Sequence, residues 1–385
     1  MAEQLTPQQE MAVFNRGGEL LVSAAAGSGK TKVLVDRLMQ YMLDPVQPAN
    51  LDEFLIITYT KAAAAELRAK IAAKLSEYIA RSPENRHLQH QMQRLYLAKI
   101  STVHSFCADL LREYAYVLDI PVDFRVADEF ECTELQNRTM TRLLDEAYEH
   151  IADDPQFKAL VDGQGLGRND SQIPEIVLKV YNAAQCHLDP NGWLNWCLSV
   201  CDVSQIHDVS ETVWGQYLVE DLRRYLKLQI AALEECIALM SNANGMEKQS
   251  VLLRSTVDQL VHLASCDSWD AIYANRTIDY GRLIFSPKCD DPDLVAQIKA
   301  VRDACKKGVA KKLRNFADVS ANILEDIQST TEATNGLVRF VTRFSDEYKK
   351  IKRRRHVLDF GDLEHLTLDL LMGKIDLRLL DLLVK

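Results

Sequence analysis

The chain has 385 residues, 47% hydrophobic and 26% charged, the balance of a globular protein with room for two or three domains and a sizeable core. No apolar run approaches the length of a membrane span, and Met1-Ala2-Glu3-Gln4 offers neither a basic start nor an apolar signal core, so a cytoplasmic location with no membrane partner is expected. Nine scattered cysteines without a Cys-x-x-Cys pair argue against a disulfide framework and a zinc ribbon, and a net charge of −10 leaves any nucleic-acid contact to local basic faces.

In chain order, Leu5 to Val13 reads as a short helix with Thr6 as its cap, Pro7 at the first helical position and Glu10 in an acidic first turn. Gln9 has an amide able to give and take hydrogen bonds at an adenine edge; a plain surface helix residue is the blander alternative. Glu19 to Ser23 reads as a short buried strand that runs into Ala24-Ala25-Ala26-Gly27-Ser28-Gly29-Lys30-Thr31, with a helix from Lys32 onward. This is the context of a phosphate-binding loop. Gly27 and Gly29 free the backbone so that successive N–H groups converge on phosphate oxygens, Lys30 reaches the β and γ phosphates, and Thr31 offers its hydroxyl to a magnesium ion. The general pattern begins with Gly, where this chain has Ala24.

Phe54 to Thr58 predicts a second strand, Tyr59-Thr60-Lys61 a loop, and Ala62 to about Ala80 a helix. Ligands of open parallel sheets gather beyond the carboxyl ends of the strands, so this loop belongs on the rim of the phosphate loop. Tyr59 there is suited to stack on a base, and Thr60 and Lys61 to hold phosphates; a buried Tyr beside a capping Thr explains the same residues. Pro83 to Leu97 predicts a helix and Lys99 to Val103 a third strand. His104-Ser105-Phe106-Cys107 then opens a helix through Tyr116, with His104 placed either to meet DNA or to satisfy a cap.

Taken in order, these units resemble the glutamine motif and early motifs of the UvrD-like superfamily 1 helicases. The motifs are Gln9 with Ala12-Val13, the loop Ala24 to Thr31, Thr58-Tyr59-Thr60 with Ala63-Ala64-Ala65-Glu66-Leu67-Arg68, and Ser101-Thr102-Val103-His104-Ser105-Phe106-Cys107. The family's phosphate loop begins with Ala, which accommodates Ala24. The segments Phe124 to Glu129 and Leu358 to His365 are similar to the branch formed by the AddA (RexA) subunits of bacterial helicase–nucleases, while Lys61-Ala62 stands where simpler UvrD members have Asn-Lys. The resemblance implies an α/β protein: a P-loop NTPase (RecA-like) parallel-sheet subdomain with a large, mostly α-helical insertion subdomain. Residues 1–130 would form the first part of the motor subdomain, 131–355 the insertion and 356–385 the return. It implies ATP and Mg2+ as cofactors, with Gln9 and Ala24 through Thr31 at the nucleotide, Lys30 and Thr31 in catalysis and Thr31 at the metal. It also implies single-stranded and duplex-end DNA at Tyr59, Thr60, Lys61, Thr102 and His104, and an AddB (RexB)-type partner subunit.

From about Glu131 the pattern becomes helical, near 131–152, 172–186, 211–242, 246–263 and 292–354, punctuated at Gly163-Gln164-Gly165-Leu166-Gly167 and Asp290-Asp291-Pro292-Asp293. Cys197, Cys201 and His207 are the nearest approach to a metal cluster, but beside Trp193 and Trp196 the thiols read as buried structural groups. Two basic clusters, Lys306-Lys307 with Lys311-Lys312 and Arg314, and Lys349-Lys350 with Lys352 to Arg355, are equally suited to phosphates and to solvated helix faces. Asp359 and Asp362 are spaced as a metal or acid–base pair, though a helix cap is the preferred account.

An ATP motor also needs a strand ending in Asp-Glu, to hold magnesium and orient the attacking water, and arginines for the transferring phosphoryl group. None is found: Val126-Ala127-Asp128-Glu129 follows Asp123-Phe124-Arg125 instead of an apolar run, and Ile323 to Asp326 sits in a helical pattern. The expectation is the N-terminal part of a longer helicase–exonuclease, binding nucleotide weakly and hydrolysing little by itself. Part of a repair helicase without a nuclease, a non-catalytic DNA- or partner-binding module and a small-molecule kinase are the alternatives.

Overall fold

The computed structural model describes residues 5–164, 172–241, 245–285 and 291–373. Of the expected loop at 163–167, Gly163 and Gln164 instead belong to a helix, while Gly165-Leu166-Gly167 lie outside the described residues, as do Asp290, residues 374–385 and Met1 to Gln4. Two compact units divide the chain: Met1–Leu135 together with Lys349–Lys385, and Gln136–Tyr348.

The first helix, α1 (Pro7–Phe14), starts where Thr6 and Gln9 close a reciprocal capping box that satisfies two backbone N–H groups at once. After a loop come α2 (Lys30–Met42), β1 (Leu55–Thr58), α3 (Lys61–Arg81), α4 (Arg86–Arg94), β2 (Lys99–Thr102), α5 (Val103–Glu113), β3 (Arg125–Val126) and α6 (Glu129–Glu149). β1 and β2 pair in parallel, from Leu55 opposite Lys99 to Thr58 opposite Thr102. Ile56 and Ile100 point into the core, where Leu67, Ile71 and Leu75 of α3 meet them at the one-turn spacing that puts side chains on one helix face. Each of these fully covered side chains contributes about 1.5–3 kcal/mol by leaving water.

The run Glu19 to Ser23 corrects the expectation of a buried strand. Its backbone forms no ladder, and Leu21 is 94% exposed. A strand exists only as a member of a hydrogen-bonded pair, and among the described residues none runs alongside this segment; apolar composition alone supplies no partner. Two smaller differences are local. Lys30 and Thr31 already belong to α2, because its cap is Gly29, and Val103 belongs to α5, because Thr102 caps it through a bond from the Ser105 N–H.

The second unit is helical. It holds most of α6, then α7 (Pro155–Gln164), α8 (Gln172–Gln185), α9 (Pro190–Cys201), α10 (Val213–Ser241), α11 (Glu247–Ser265), α12 (Trp269–Ala274), α13 (Pro292–Leu313) and most of α14 (Ser320–Arg354). α10 and α11 form a hairpin around Leu222, Leu226, Leu233, Leu253 and Leu260, against which α13 packs Ile298, Cys305 and Val309. The expected single helix over 292–354 is interrupted at 314–319. There Phe316 turns inward against Trp269, with ring centroids 4.2 Å apart, and the Trp269 indole N–H donates to the Asp318 carbonyl at 3.0 Å. These contacts hold the break after α13, and the Asp270 carboxylate accepts from the Ser320 N–H at 2.6 Å where α14 begins.

Past α14 the chain makes β4 (Val357–Leu358), which pairs in parallel with β3, and ends its described course in α15 (Phe360–Leu371). α15 packs Leu363 and Leu370 against Cys107, Ala108 and Leu111 of α5. Among the described residues no helix is long and apolar enough to cross a membrane.

Candidate functional site

The loop before α2 has the shape its glycines permit. Gly27 and Gly29 both lie in the left-handed region, at φ 79° and 82°, where a side chain would be strained. Gly29 caps α2 without a side chain, so the first-turn N–H groups of α2 face outward with no capping oxygen, the arrangement that attracts a phosphate. Lys30 folds back over the loop, its Nζ donating to the carbonyls of Ala24 at 2.8 Å and Ala25 at 2.7 Å. A phosphate entering the loop offers this ammonium a charged acceptor in place of two neutral ones.

Gln9 is tied to the same loop. Its Nε2 donates to the Ser28 carbonyl at 3.1 Å, while its Oε1 accepts from the Thr6 N–H at 2.9 Å. α1 is held beside α2 by Ala12, Val13 and Val33 and by Arg37, whose Nη1 donates to the Ala12 carbonyl at 2.5 Å. The donor set and the glycine conformations fit a triphosphate, with Thr31 on the first turn of α2 as the available hydroxyl for a metal.

A second site opens beyond the ends of β1 and β2: a cavity of about 760 Å³ lined by Tyr59, Lys61, Thr102, His104, Arg112 and Phe360 among others. Tyr59 is fully exposed, so of the two readings of this residue the buried one does not hold. Thr60 caps α3, accepting from the Ala63 N–H at 3.1 Å, and the Thr102 hydroxyl meets that of Ser105 at 2.9 Å. His104 lies on the Phe360 ring, centroids 4.3 Å apart and nearly parallel, and its Nε2 meets the Glu364 carboxylate at 3.0 Å. Exposed aromatic faces beside Lys61 and Arg112 give a base a surface to stack on and its phosphates cations to meet.

The model of the UvrD/REP helicase N-terminal domain matches residues 5–379. The chain belongs to this family. It is 33% identical over 374 residues to a protein of Geobacillus thermodenitrificans named as the A-type subunit of an ATP-dependent helicase/nuclease, an alignment covering 95% of this chain and 30% of that protein. The same-named protein of Pelotomaculum thermopropionicum is 34% identical over 376 residues, covering 96% and 30%, and that of Clostridium beijerinckii 31% over 372, covering 95% and 30%. The chain thus spans about 30% of the length of the curated relatives it matches. This UvrD-type domain is rich in helix and carries two small parallel sheets among its described residues.

The UvrD-type domain uses its other candidates structurally. Asp359 and Asp362 each lie 2.6 Å from Lys352 Nζ, and they cap α15 reciprocally; the Asp359 carboxylate accepts from the Asp362 N–H at 2.8 Å. Lys352 is 2% exposed. Burial, outweighing the lysine's attraction, raises the pKa of Asp362 above the ordinary aspartate value. Asp128 accepts from the Glu131 N–H at 2.8 Å and starts α6. Cys197 and Cys201 are half-buried and not the fully buried thiols expected; the cover Cys197 has raises its thiol pKa, and among the described residues no cluster of three His, Cys, Asp or Glu is arranged for a metal. In the first basic cluster Lys312 pairs with Asp221 and Lys306 lies over the Tyr280 ring, while Lys307, Lys311 and Arg314 face solvent.

Sequence reasoning missed Phe360 and Glu364. Both come from α15, Glu364 lying 260 residues beyond its partner His104, and the two aspartates drew the eye from the half-exposed aromatic between them. An aromatic immediately after a helix cap, where it cannot reach the helix's own core face, was the available signal.

Proposed function

We propose that this chain is the ATP- and DNA-binding N-terminal part of an ATP-dependent DNA helicase and exonuclease of the kind named by its relatives, acting in double-strand break repair and recombination. The observation that carries the reading is one compact unit holding both a left-handed glycine loop with Lys30 at a helix start and an aromatic, cationic cavity beyond the strand ends. ATP would lie with its phosphates on the N–H groups of Ala26 to Thr31, its magnesium on Thr31 and its adenine near Gln9. Single-stranded DNA would stack on Tyr59 and on the His104–Phe360 pair, with phosphates on Lys61 and Thr60. Hydrolysis chemistry in such motors requires an acidic strand end, and Asp128 already caps α6, so the chain alone binds nucleotide without turning it over.

The fold that goes with this reading is a P-loop NTPase, RecA-like parallel-sheet subdomain with a large α-helical insertion; the parallel β1–β2 pair, with a helix after each strand, supports it. A partner of AddB type and a cytoplasmic location belong to the same reading.

The test is titration with a fluorescent ATP analogue and magnesium, beside Lys30→Ala, with phosphate release followed in the presence of single-stranded DNA. Binding that Lys30→Ala weakens at least tenfold (about 1.4 kcal/mol) supports the reading. Unchanged affinity in the variant would remove the loop from the site, and robust hydrolysis by the chain would overturn the half-site assignment.

A further inference from the structure

A second cavity, of about 340 Å³, lies on the other side of α15. Its lining includes Asp362, His365, Leu366 and Asp369 of that helix, whereas Phe360 and Leu363 line the aromatic cavity. At 100° per residue the two sets fall on opposite faces, so α15 is a wall between two cavities. The floor of the second is apolar, made by Ile120, Leu358 and Leu366. Its mouth carries Lys349, Lys350 and Arg353 from the last turns of α14, all exposed. Lys349 and Arg353 meet no carboxylate among the described residues.

We propose that this basic mouth is a second nucleic-acid contact, taking backbone phosphates of duplex DNA on Lys349, Lys350 and Arg353. The choice of DNA among polyanions rests on the function proposed above. Cations at a helix C-terminus are favoured by the dipole, which accounts for their place in sequence but not for three of them around one cavity. Lys349 and Arg353 stand one helical turn apart, about 6 Å along α14, a spacing that suits successive phosphates of one strand. Lys352, between them, is buried in its ion pair with Asp359 and Asp362, so the helix face that carries it is fixed while the other three remain outward. In a chain of net charge −10, cations gathered at one cavity are a local field for a polyanion. A phosphodiester backbone fits better than an acidic helix because a cavity of about 340 Å³ has room for one nucleotide unit and not for several apolar side chains.

The experiment is fluorescence anisotropy of a labelled blunt duplex against the full chain over a range of salt, for wild type and for Lys349→Ala/Lys350→Ala/Arg353→Ala. Three lost phosphate contacts should weaken binding about tenfold or more at low salt and reduce the slope of log affinity against log salt by about two to three. The charge-keeping variant Lys349→Arg/Lys350→Arg/Arg353→Lys should retain the slope. Should the triple alanine variant fail to fold, Lys349→Glu alone should still lower the slope. The proposal is overturned if the slope is unchanged, if Lys307→Ala/Lys311→Ala/Arg314→Ala lowers it equally, or if a polyglutamate peptide binds the mouth while duplex affinity is insensitive to the three residues. A single strand containing 2-aminopurine reports the stacking cavity separately through its quenching. Loss of quenching with the duplex slope intact would defeat the stacking reading and leave this proposal standing; the reverse would do the opposite.

Discussion

Replacing Lys352 with Ala would leave two carboxylates, Asp359 and Asp362, facing a hole from which their shared cation has gone. The ammonium is 2% exposed and lies 2.6 Å from each acid, so its removal leaves both carboxylates without the charge they share. Breaking a buried pair by removing one partner costs about 3–5 kcal/mol, because the remaining charge stays buried and unpaired. For a compact unit the size of Met1–Leu135 with Lys349–Lys385, which contains Lys352, that is a fall in melting temperature of roughly 6–20 °C. The sign of the pH dependence follows from Asp362. Its folded pKa is raised, so between the ordinary aspartate value and the folded value the native state holds more protons than the unfolded chain, and stability falls as pH rises through that window. Lysine removal takes away an attraction that lowers this pKa, so the window widens upward in the variant. Thermal melts at about pH 7 and about pH 4 should therefore show a large gap between wild type and Lys352→Ala at the higher pH and a smaller one at the lower. Adding Asp362→Asn to Lys352→Ala should recover part of the loss. A gap that is the same at both pH values, or a neutral-pH loss under about 1 kcal/mol, would refute the reasoning, since a surface pair is worth no more than that.

Other expectations are simpler to state. Gly29→Ala places a Cβ at positive φ and 3.3 Å from Gln9 Nε2, costing about 1–2 kcal/mol in the loop; titration with a fluorescent nucleotide should show affinity down about tenfold, and an unchanged value would mean the left-handed conformation is not the binding one. Gln9→Glu keeps the shape but removes the donor to the Ser28 carbonyl, and it should weaken nucleotide binding more than Gln9→Ala does because a carboxylate then faces a carbonyl. Phe360→Ala should lower single-strand affinity by about 1–3 kcal/mol, read by 2-aminopurine quenching, with no effect on nucleotide titration. In the second unit, Gly215→Ala would drive a Cβ into the Val209 carbonyl oxygen; urea unfolding should show a loss of at least about 2 kcal/mol, with nucleotide binding intact.

What the sequence made legible was local. The glycine loop before α2, β1, β2 and the helix that follows each strand are specified by residues close together, such as Gly27 and Gly29 or Ile56 and Thr60, and the structure has those conformations there. The family was legible for the same reason, as a string of such local patterns. What escaped needs distant partners. Leu20 to Val22 has strand composition, yet a strand depends on a neighbour that no local pattern supplies. The break between α13 and α14 is made by Trp269, which no periodicity over 292–354 contains. β3 and β4 are two residues each, too short for any alternation, and exist because Arg125 and Val126 meet Val357 and Leu358. Phe360 joined the aromatic cavity only when the chain returned from the helical unit to lay it on His104.

That return makes α15 more than a packing element. One face of it completes the aromatic cavity through Phe360, its opposite face walls the basic one through His365 and Leu366, and its first turn is the cap locked by Lys352. The orientation of α15 about its own axis is fixed at two places: Leu363 and Leu370 packing on α5, and the two aspartates gripping a lysine on α14. A helix held by apolar contacts alone can slide or roll at small cost, because such contacts are non-directional. The buried ion pair is directional, and its large penalty for mismatch selects one roll angle. A charge pair that yields little net stability thereby sets the positions of side chains on both sides of the wall, though Lys352 itself reaches neither the His104–Phe360 rings nor the exposed cations.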